Sequence, residues 1–233
     1  MAKIRPIPMA GWSVRAIEAG HKTQTRRPIK PQPAWEVEHF SIRHHKDRWR
    51  AYIEEGQYRG WTDNLWRCPY GIPGDVLWVR ETWRWSSHDN GERCACFRAD
   101  NRCQCGREAT VATDDPAVRW KPSIHMPRTL ARRWLDLKAV RVERVQSISH
   151  GGIRAEGIRM STAAMHVHHL TGSTDGVYMS ACVGLFRSAW DDIYAKQGLG
   201  FEANPWTWAL TFAPIKDAAR IESLRQQASE PED

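Results

Sequence analysis

The chain has 233 residues, 41% hydrophobic and 26% charged, ordinary proportions for a globular protein of one to two domains with a core of useful size. No apolar run approaches the roughly 18 residues needed to cross a bilayer, and the opening MAKIRPIPMAGW lacks the apolar stretch of a secretory signal, so a cytoplasmic protein with no membrane partner is expected. Lysine plus arginine number 34 against 27 acids, a net +7 with a pI near 9.3, which favours an anionic partner, nucleic acid foremost.

Along the chain, Met9 to Ala19 carries apolar residues at helical spacing, and Gly20 stands where that helix would stop. The basic run His21-Lys22-Thr23-Gln24-Thr25-Arg26-Arg27 follows, ended by Pro28. Residues 28–72 are rich in Pro, Gly, Trp and charge and read as a long, partly ordered insertion. Pro73-Gly74 makes a turn into a strand from Asp75 to Trp83. A second insertion spans 86–119, and Leu130 to Trp134 reads as a short helical turn. Leu137 to Ile148 is strand-like, and Ser149 caps a short helix from His150 to Gly157. A third insertion, 160–182, holds His166, His168 and His169 and reads as mobile and solvated rather than metal-binding. Leu185 to Tyr194 forms a helix with one apolar face, and Pro205 to Phe212 is the last strand. A polar tail, 217–233, closes the chain, helical only in part. The sum is an α+β chain, a small β-barrel with flanking helices and long loop insertions, in one domain over residues 1–216.

Thirteen tryptophans are the unusual count. Indoles stack on bases, so a basic, Trp-rich chain suggests base recognition, although about two-thirds of them are assigned to the core, the usual fate of large aromatics. The segment CACFRADNRCQC sets Cys94, Cys96, Cys103 and Cys105 as C-x-C, six residues, C-x-C. Four thiolates suit a structural zinc, which is tetrahedral with sulfur at about 2.3 Å. A spacer of one residue strains both sulfurs towards one ion, so free or loosely paired thiols are the alternative. With no secretory signal, a disulfide framework is not expected.

The run after Gly20 reads blandly as a phosphate-binding basic loop. Read sharply, Lys22 and Thr25 are base and nucleophile. Threonine needs an adjacent base, and lysine serves only if burial or neighbouring cations such as Arg26 and Arg27 lower its pKa. Residues three apart face opposite sides of a regular strand, so this pair requires irregular backbone near Gly20. Arg26 and Arg27 are also candidate phosphate ligands. Trp83 and Trp85 are candidates for stacking on a base, against a packing role. Ser123 and His125, in SIHMPR, line a cleft or brace a loop. Glu81 is a rival acid, better read as a structural ion-pair member.

Gly20-His21-Lys22-Thr23-Gln24-Thr25-Arg26 resembles the G-x-K-x-x-x-R signature of the ASCH family, a branch of the PUA-like β-barrels. Further blocks fall in the family's order. They are Gly74-Asp75-Val76-Leu77-Trp78-Val79, the helix around Ala155-Glu156-Gly157, and the closing Phe186, Trp190 and Trp206 to Phe212. The stretches CPYGIPGDVLWVRETW and RWKPSIHMPR are similar to ASCH proteins of phages and prophages. The resemblance implies a barrel with a basic cleft and a nucleoside or nucleic-acid ligand. Some bacterial members are N4-acetylcytidine amidohydrolases that use a lysine, a threonine and a glutamate. Residue by residue this carries over to Lys22, Thr25 and Glu156, with Arg27 matching an arginine that follows the threonine.

The expectation is therefore an amidohydrolase that removes the N4-acyl group from N4-acylcytidine-type nucleosides or bases, with no cofactor required for catalysis. A non-catalytic RNA or modified-base binding module is the alternative, and a ribonuclease a weaker third. Lys22, Thr25 and Glu156 favour the enzyme, because a reader needs no such trio.

Overall fold

The computed structural model describes residues 2–33, 40–45, 48–55, 58–87, 93–106, 119–159 and 175–229. Its described residues form eleven strands and four α-helices, a mixed α+β architecture. The strands are β1 (Ile4–Pro8), β2 (Gln24–Pro28), β3 (Phe40–His45), β4 (Arg48–Glu55), β5 (Tyr58–Trp66) and β6 (Val76–Arg80). They continue as β7 (Trp83–Ser87), β8 (Arg93–Phe97), β9 (Arg102–Cys103), β10 (Trp134–Arg144) and β11 (Trp206–Pro214). The helices are α1 (Gly11–Glu18), α2 (His150–Ala155), α3 (Asp175–Tyr194) and α4 (Ala218–Ser229). Hydrogen bonding orders one sheet β1-β6-β10-β11-β2 and makes two three-stranded sheets, β3-β4-β5 and β7-β8-β9. Among the described residues no sheet closes into a barrel.

The chain divides into two compact units. The first comprises Met1–Gly20, Pro73–Lys138 and Phe212–Asp233. Here β1 pairs in parallel with β6, Ile4 opposite Val76, and the start of β10 runs antiparallel to β6, Trp134 opposite Trp78. Four consecutive residues of β6, Val76 to Val79, are buried, which explains its unbroken apolar sequence. Val76, Trp78, Trp83, Phe97, Met126 and Trp134 form the core, onto which Leu224 of α4 packs. The tail is helical from Ala218 to Ser229, held by that apolar anchor; 230–233 lie outside the described residues.

The second unit comprises His21–Ile72 and Ala139–Thr211. In it β11 runs antiparallel to β2, Leu210 opposite Thr25 and Ala209 opposite Arg26. Cys182, Phe186, Trp190 and Tyr194 recur every fourth residue along α3 and pack on Val145, Ile148, Ile153 and Phe201. The apolar face placed at 185–194 belongs to a longer helix that begins at Asp175, inside the third expected insertion. His166, His168 and His169 lie outside the described residues.

Several expectations are corrected. The first insertion holds β3, β4 and β5, an antiparallel meander with Arg43 opposite Arg50 and Ile53 opposite Gly60. The second holds β8 and β9, which continue from β7. Leu130 closes a 3-10 turn, Arg128–Leu130, and Trp134 already starts β10. The long strand expected through Trp83 breaks at Glu81 and Thr82 between β6 and β7. A disulfide joins Cys96 to Cys103, because the two stand directly opposite in the β8–β9 pair. The Ser149 cap is borne out, since its Oγ accepts from the Gly152 amide at 3.1 Å.

Candidate functional site

Two helix ends place the central pair of the second unit. Gly20 takes a left-handed conformation, φ 72°, which ends α1 and releases the chain into an extended run. Gly157, φ 83°, ends α2 by donating to Arg154 at 3.0 Å and leaves Glu156 at the helix C-cap. Lys22 and Glu156 then face each other in an isolated antiparallel bridge, fixed by the Thr23 amide on the Ala155 carbonyl at 2.8 Å. Residues opposite in such a bridge project to the same side. Lys22 Nζ accordingly donates to Glu156 Oε2 at 2.6 Å and to its backbone carbonyl at 2.8 Å.

Arg26 completes the network. Its Nη1 reaches Glu156 Oε1 at 3.2 Å, and its Nε donates to Glu143 Oε1 at 2.7 Å. Lys22, Arg26 and Glu156 are 1%, 3% and 4% exposed, so three charged groups share a dry site. Arg27 Nη1 donates to the Tyr194 hydroxyl at 3.3 Å. Burial raises the Tyr70 phenol against the opposing pull of Arg27, so Tyr70 stays protonated. Thr25 is buried, one residue from Arg26 and in register with Leu210. The strand β2 begins at Gln24, so the chain between the Lys22 bridge and Thr25 is not one regular strand.

Burial is the largest influence on Lys22 and pushes its pKa below the ordinary 10.5. Glu156 opposes this, whereas Arg27 and Arg26 reinforce it. A lowered pKa makes this lysine easier to deprotonate than a surface one, the property a general base requires. The structure therefore joins Lys22, Glu156 and Arg26 directly and adds Glu143, Tyr194 and Tyr70, which sequence reasoning missed. Glu143 sits in a charged strand run, and Tyr194 was counted only as part of an apolar helix face.

Gly152 guards the geometry. A Cβ there would lie 2.8 Å from Arg26 Nη2 and 3.0 Å from Ile148 Cγ1. Gly152→Ala is expected to push the guanidinium off its carboxylates, at a stability cost of about 1–3 kcal/mol. Thermal melts and ligand or substrate assays of this variant, run together, check that function falls further than stability.

The other candidates lie in the first unit. Trp83 is 4% exposed and part of the core, with Lys121 Nζ 5.0 Å from its ring. Trp85 is 39% exposed and meets Trp83 edge-on, ring centres 5.4 Å apart. Ser123 is half-buried and His125 exposed, on one 3-10 turn. Glu81, 1% exposed, accepts from Arg132 Nε and Nη2 at 3.0 and 2.8 Å and from Arg133 Nη1 at 2.6 Å. Asp100 braces the same Arg132, and Arg133 also pairs with Glu18. Beside this network opens a cavity of about 430 Å³ lined by Trp12, Arg15, Glu81, Thr82 and Arg98. The sulfurs of Cys94, Cys103 and Cys105 lie within 4.8 Å of one another, a set that could hold a metal ion. Cys96 is bonded to Cys103 instead, so the expected four-thiolate set and this disulfide exclude each other. Among the described residues no helix is long and apolar enough to cross a membrane. Comparison with family models, with curated proteins and with solved structures finds no match for the chain.

Proposed function

We propose that the chain is an amidohydrolase of the ASCH type, on a PUA-like scaffold, that removes the N4-acyl group of N4-acylcytidine-type nucleosides. The observation that carries this reading is the buried Lys22, held against Glu156 and Arg26 with its pKa driven down by burial. An acyl transfer by threonine needs an adjacent base, and a buried lysine whose pKa is pushed down suits that role.

In the proposed reaction neutral Lys22 takes the Thr25 proton, and Thr25 attacks the exocyclic carbonyl to give an acyl-enzyme. The C–N bond then breaks as the Lys22 proton passes to the departing cytosine amine, with Glu156 hydrogen-bonding Lys22 and that amine, and Arg26 pairing with Glu156. Arg26 and Arg27 supply positive charge for the developing oxyanion. Water then releases the acid and restores Thr25.

Absorbance-monitored hydrolysis of N4-acetylcytidine, native chain beside Thr25→Ala, tests the scheme. Turnover that vanishes in Thr25→Ala is expected. Equal rates would exclude the acyl-enzyme, and no turnover by the native chain would exclude the activity. The pH dependence carries a definite sign. Because the Lys22 pKa is lowered, kcat/KM is expected to rise with pH and level off at a value below 10.5. Over that same window the unfolded chain binds a proton that the folded chain does not, so stability also rises with pH. Rate and denaturation profiles between neutral and alkaline pH check both limbs.

A second reading, a non-catalytic reader of RNA or modified bases, is favoured by the cavity of the first unit. There a partly exposed indole, Trp12, stands with Arg15 and Arg98, the aromatic and cationic pair that single-stranded bases require. Salt-dependent RNA affinity without turnover would favour it.

A further inference from the structure

The sheet β7-β8-β9 and the turn after it bring the sulfurs of Cys94, Cys103 and Cys105 together, with Cys96 bonded to Cys103. Alternation along β8 puts Cys94 and Cys96 on the same face, and Cys103 stands opposite Cys96. A tight turn after β9, closed by the Gly106 amide on the Cys103 carbonyl at 2.9 Å, carries Cys105 back to the same place. The Cys105 amide donates to Cys94 Sγ, 3.4 Å away. The sulfurs of Cys94, Cys103 and Cys105 lie within 4.8 Å of one another. A tetrahedral ion with sulfur at 2.3 Å needs its ligands roughly 3.8 Å apart, so small side-chain rotations suffice. The fourth sulfur, Cys96, is already bonded to one of the three. Cys96 and Cys103 are fully buried, Cys94 half-buried and Cys105 exposed, so ion and oxidant enter from the Cys105 side.

We propose that this hairpin is a redox-gated zinc site. In the reduced chain Cys94, Cys96, Cys103 and Cys105 hold one Zn²⁺ through four thiolates; in the oxidised chain the Cys96–Cys103 disulfide removes two ligands and the ion leaves. A disulfide sulfur carries no charge and is a poor zinc ligand, so the two states exclude each other. With a peroxide as oxidant the step balances. The Cys103 thiolate takes one peroxide oxygen and becomes a sulfenic acid, releasing water after one proton is added. The Cys96 thiolate then attacks that sulfur, forming the S–S bond and expelling a second water with a second proton. Two electrons pass from the two thiolates to the peroxide, and zinc departs unchanged as Zn²⁺.

Cobalt titration of the full chain, reduced and peroxide-treated, tests this. The reduced chain is expected to bind one Co²⁺ with the near-ultraviolet thiolate charge-transfer band and visible bands of tetrahedral coordination. Peroxide should remove two titratable thiols and that spectrum together. Cys105→Ser, at an exposed position, should weaken binding at least about tenfold, since even outer partners of metal ligands are worth about 10–100-fold. Cys182→Ser, in the core of the second unit, should leave the spectrum unchanged. No charge-transfer band in the reduced chain, equal cobalt affinity after peroxide, or full affinity in Cys105→Ser would each overturn the proposal.

Discussion

Lys22→Met is expected to lower the hydrolysis of N4-acetylcytidine at least about a thousandfold, within the range that a positioned acid or base contributes. The side chain is 1% exposed, and methionine fills nearly the same space without a proton acceptor. Removing one partner from a buried pair costs about 3–5 kcal/mol. The cost here falls below that range, because Glu156 keeps its bond from Arg26. Lys22→Arg separates the two roles. Arginine stays charged at every accessible pH, so it can hold Glu156 and cannot take a proton. An Arg variant that melts near the native temperature yet is as inactive as the Met variant is the expected outcome. Activity in Lys22→Arg within about tenfold of native would show that the lysine serves only as a counter-charge, and the acyl-enzyme scheme would fall with it.

The largest loss of stability is expected at Glu81, outside the proposed catalytic trio. Its carboxylate is the common acceptor of Arg132 and Arg133, with three hydrogen bonds of 2.6 to 3.0 Å. Glu81→Ala takes from two guanidiniums, whose side chains are 15% and 9% exposed, their most buried carboxylate, leaving Arg132 on Asp100 and Arg133 on Glu18 and Asp100. A loss of about 3–5 kcal/mol follows, and at roughly 2–4 °C per kcal/mol for a chain of this size the melting temperature drops by about 10 °C. Glu81→Gln keeps the shape and one acceptor oxygen and should lose less. Asp100→Asn, where the side chain is 18% exposed, should lose less still. Calorimetry of the three variants checks that ranking; equal losses at Glu81 and Asp100 would show that the network has no central member. High salt should leave the ranking in place, because buried pairs are screened little.

How much of this was legible beforehand differs by element. β6, β11, α1 and the α2 cap were readable because each carries its own local signal: four buried apolar residues in a row, an aromatic strand, a left-handed glycine, a serine before a helix. The β3–β5 meander was not. Its strands mix Trp, Tyr and Ile with Arg, Glu and His and show no simple alternation, and the pairing that defines them is a property of two segments at once. The same holds for the candidate site. Lys22 and Glu156 were named from separate motifs, but Glu143, Tyr194 and Tyr70 carry no motif. Only the register of folded strands reveals that Glu143 shares Arg26 with Glu156. Glu81 was read as a structural ion-pair member, and its partners prove to be Arg132 and Arg133, 51 and 52 residues away.

The bridge between Lys22 and Glu156 spans 134 residues of chain. At a synthesis rate of about 5–20 residues per second, Lys22 leaves the ribosome roughly 7–27 s before its partner exists. A nascent or truncated product that ends before Glu156 cannot make this contact, whatever else it folds.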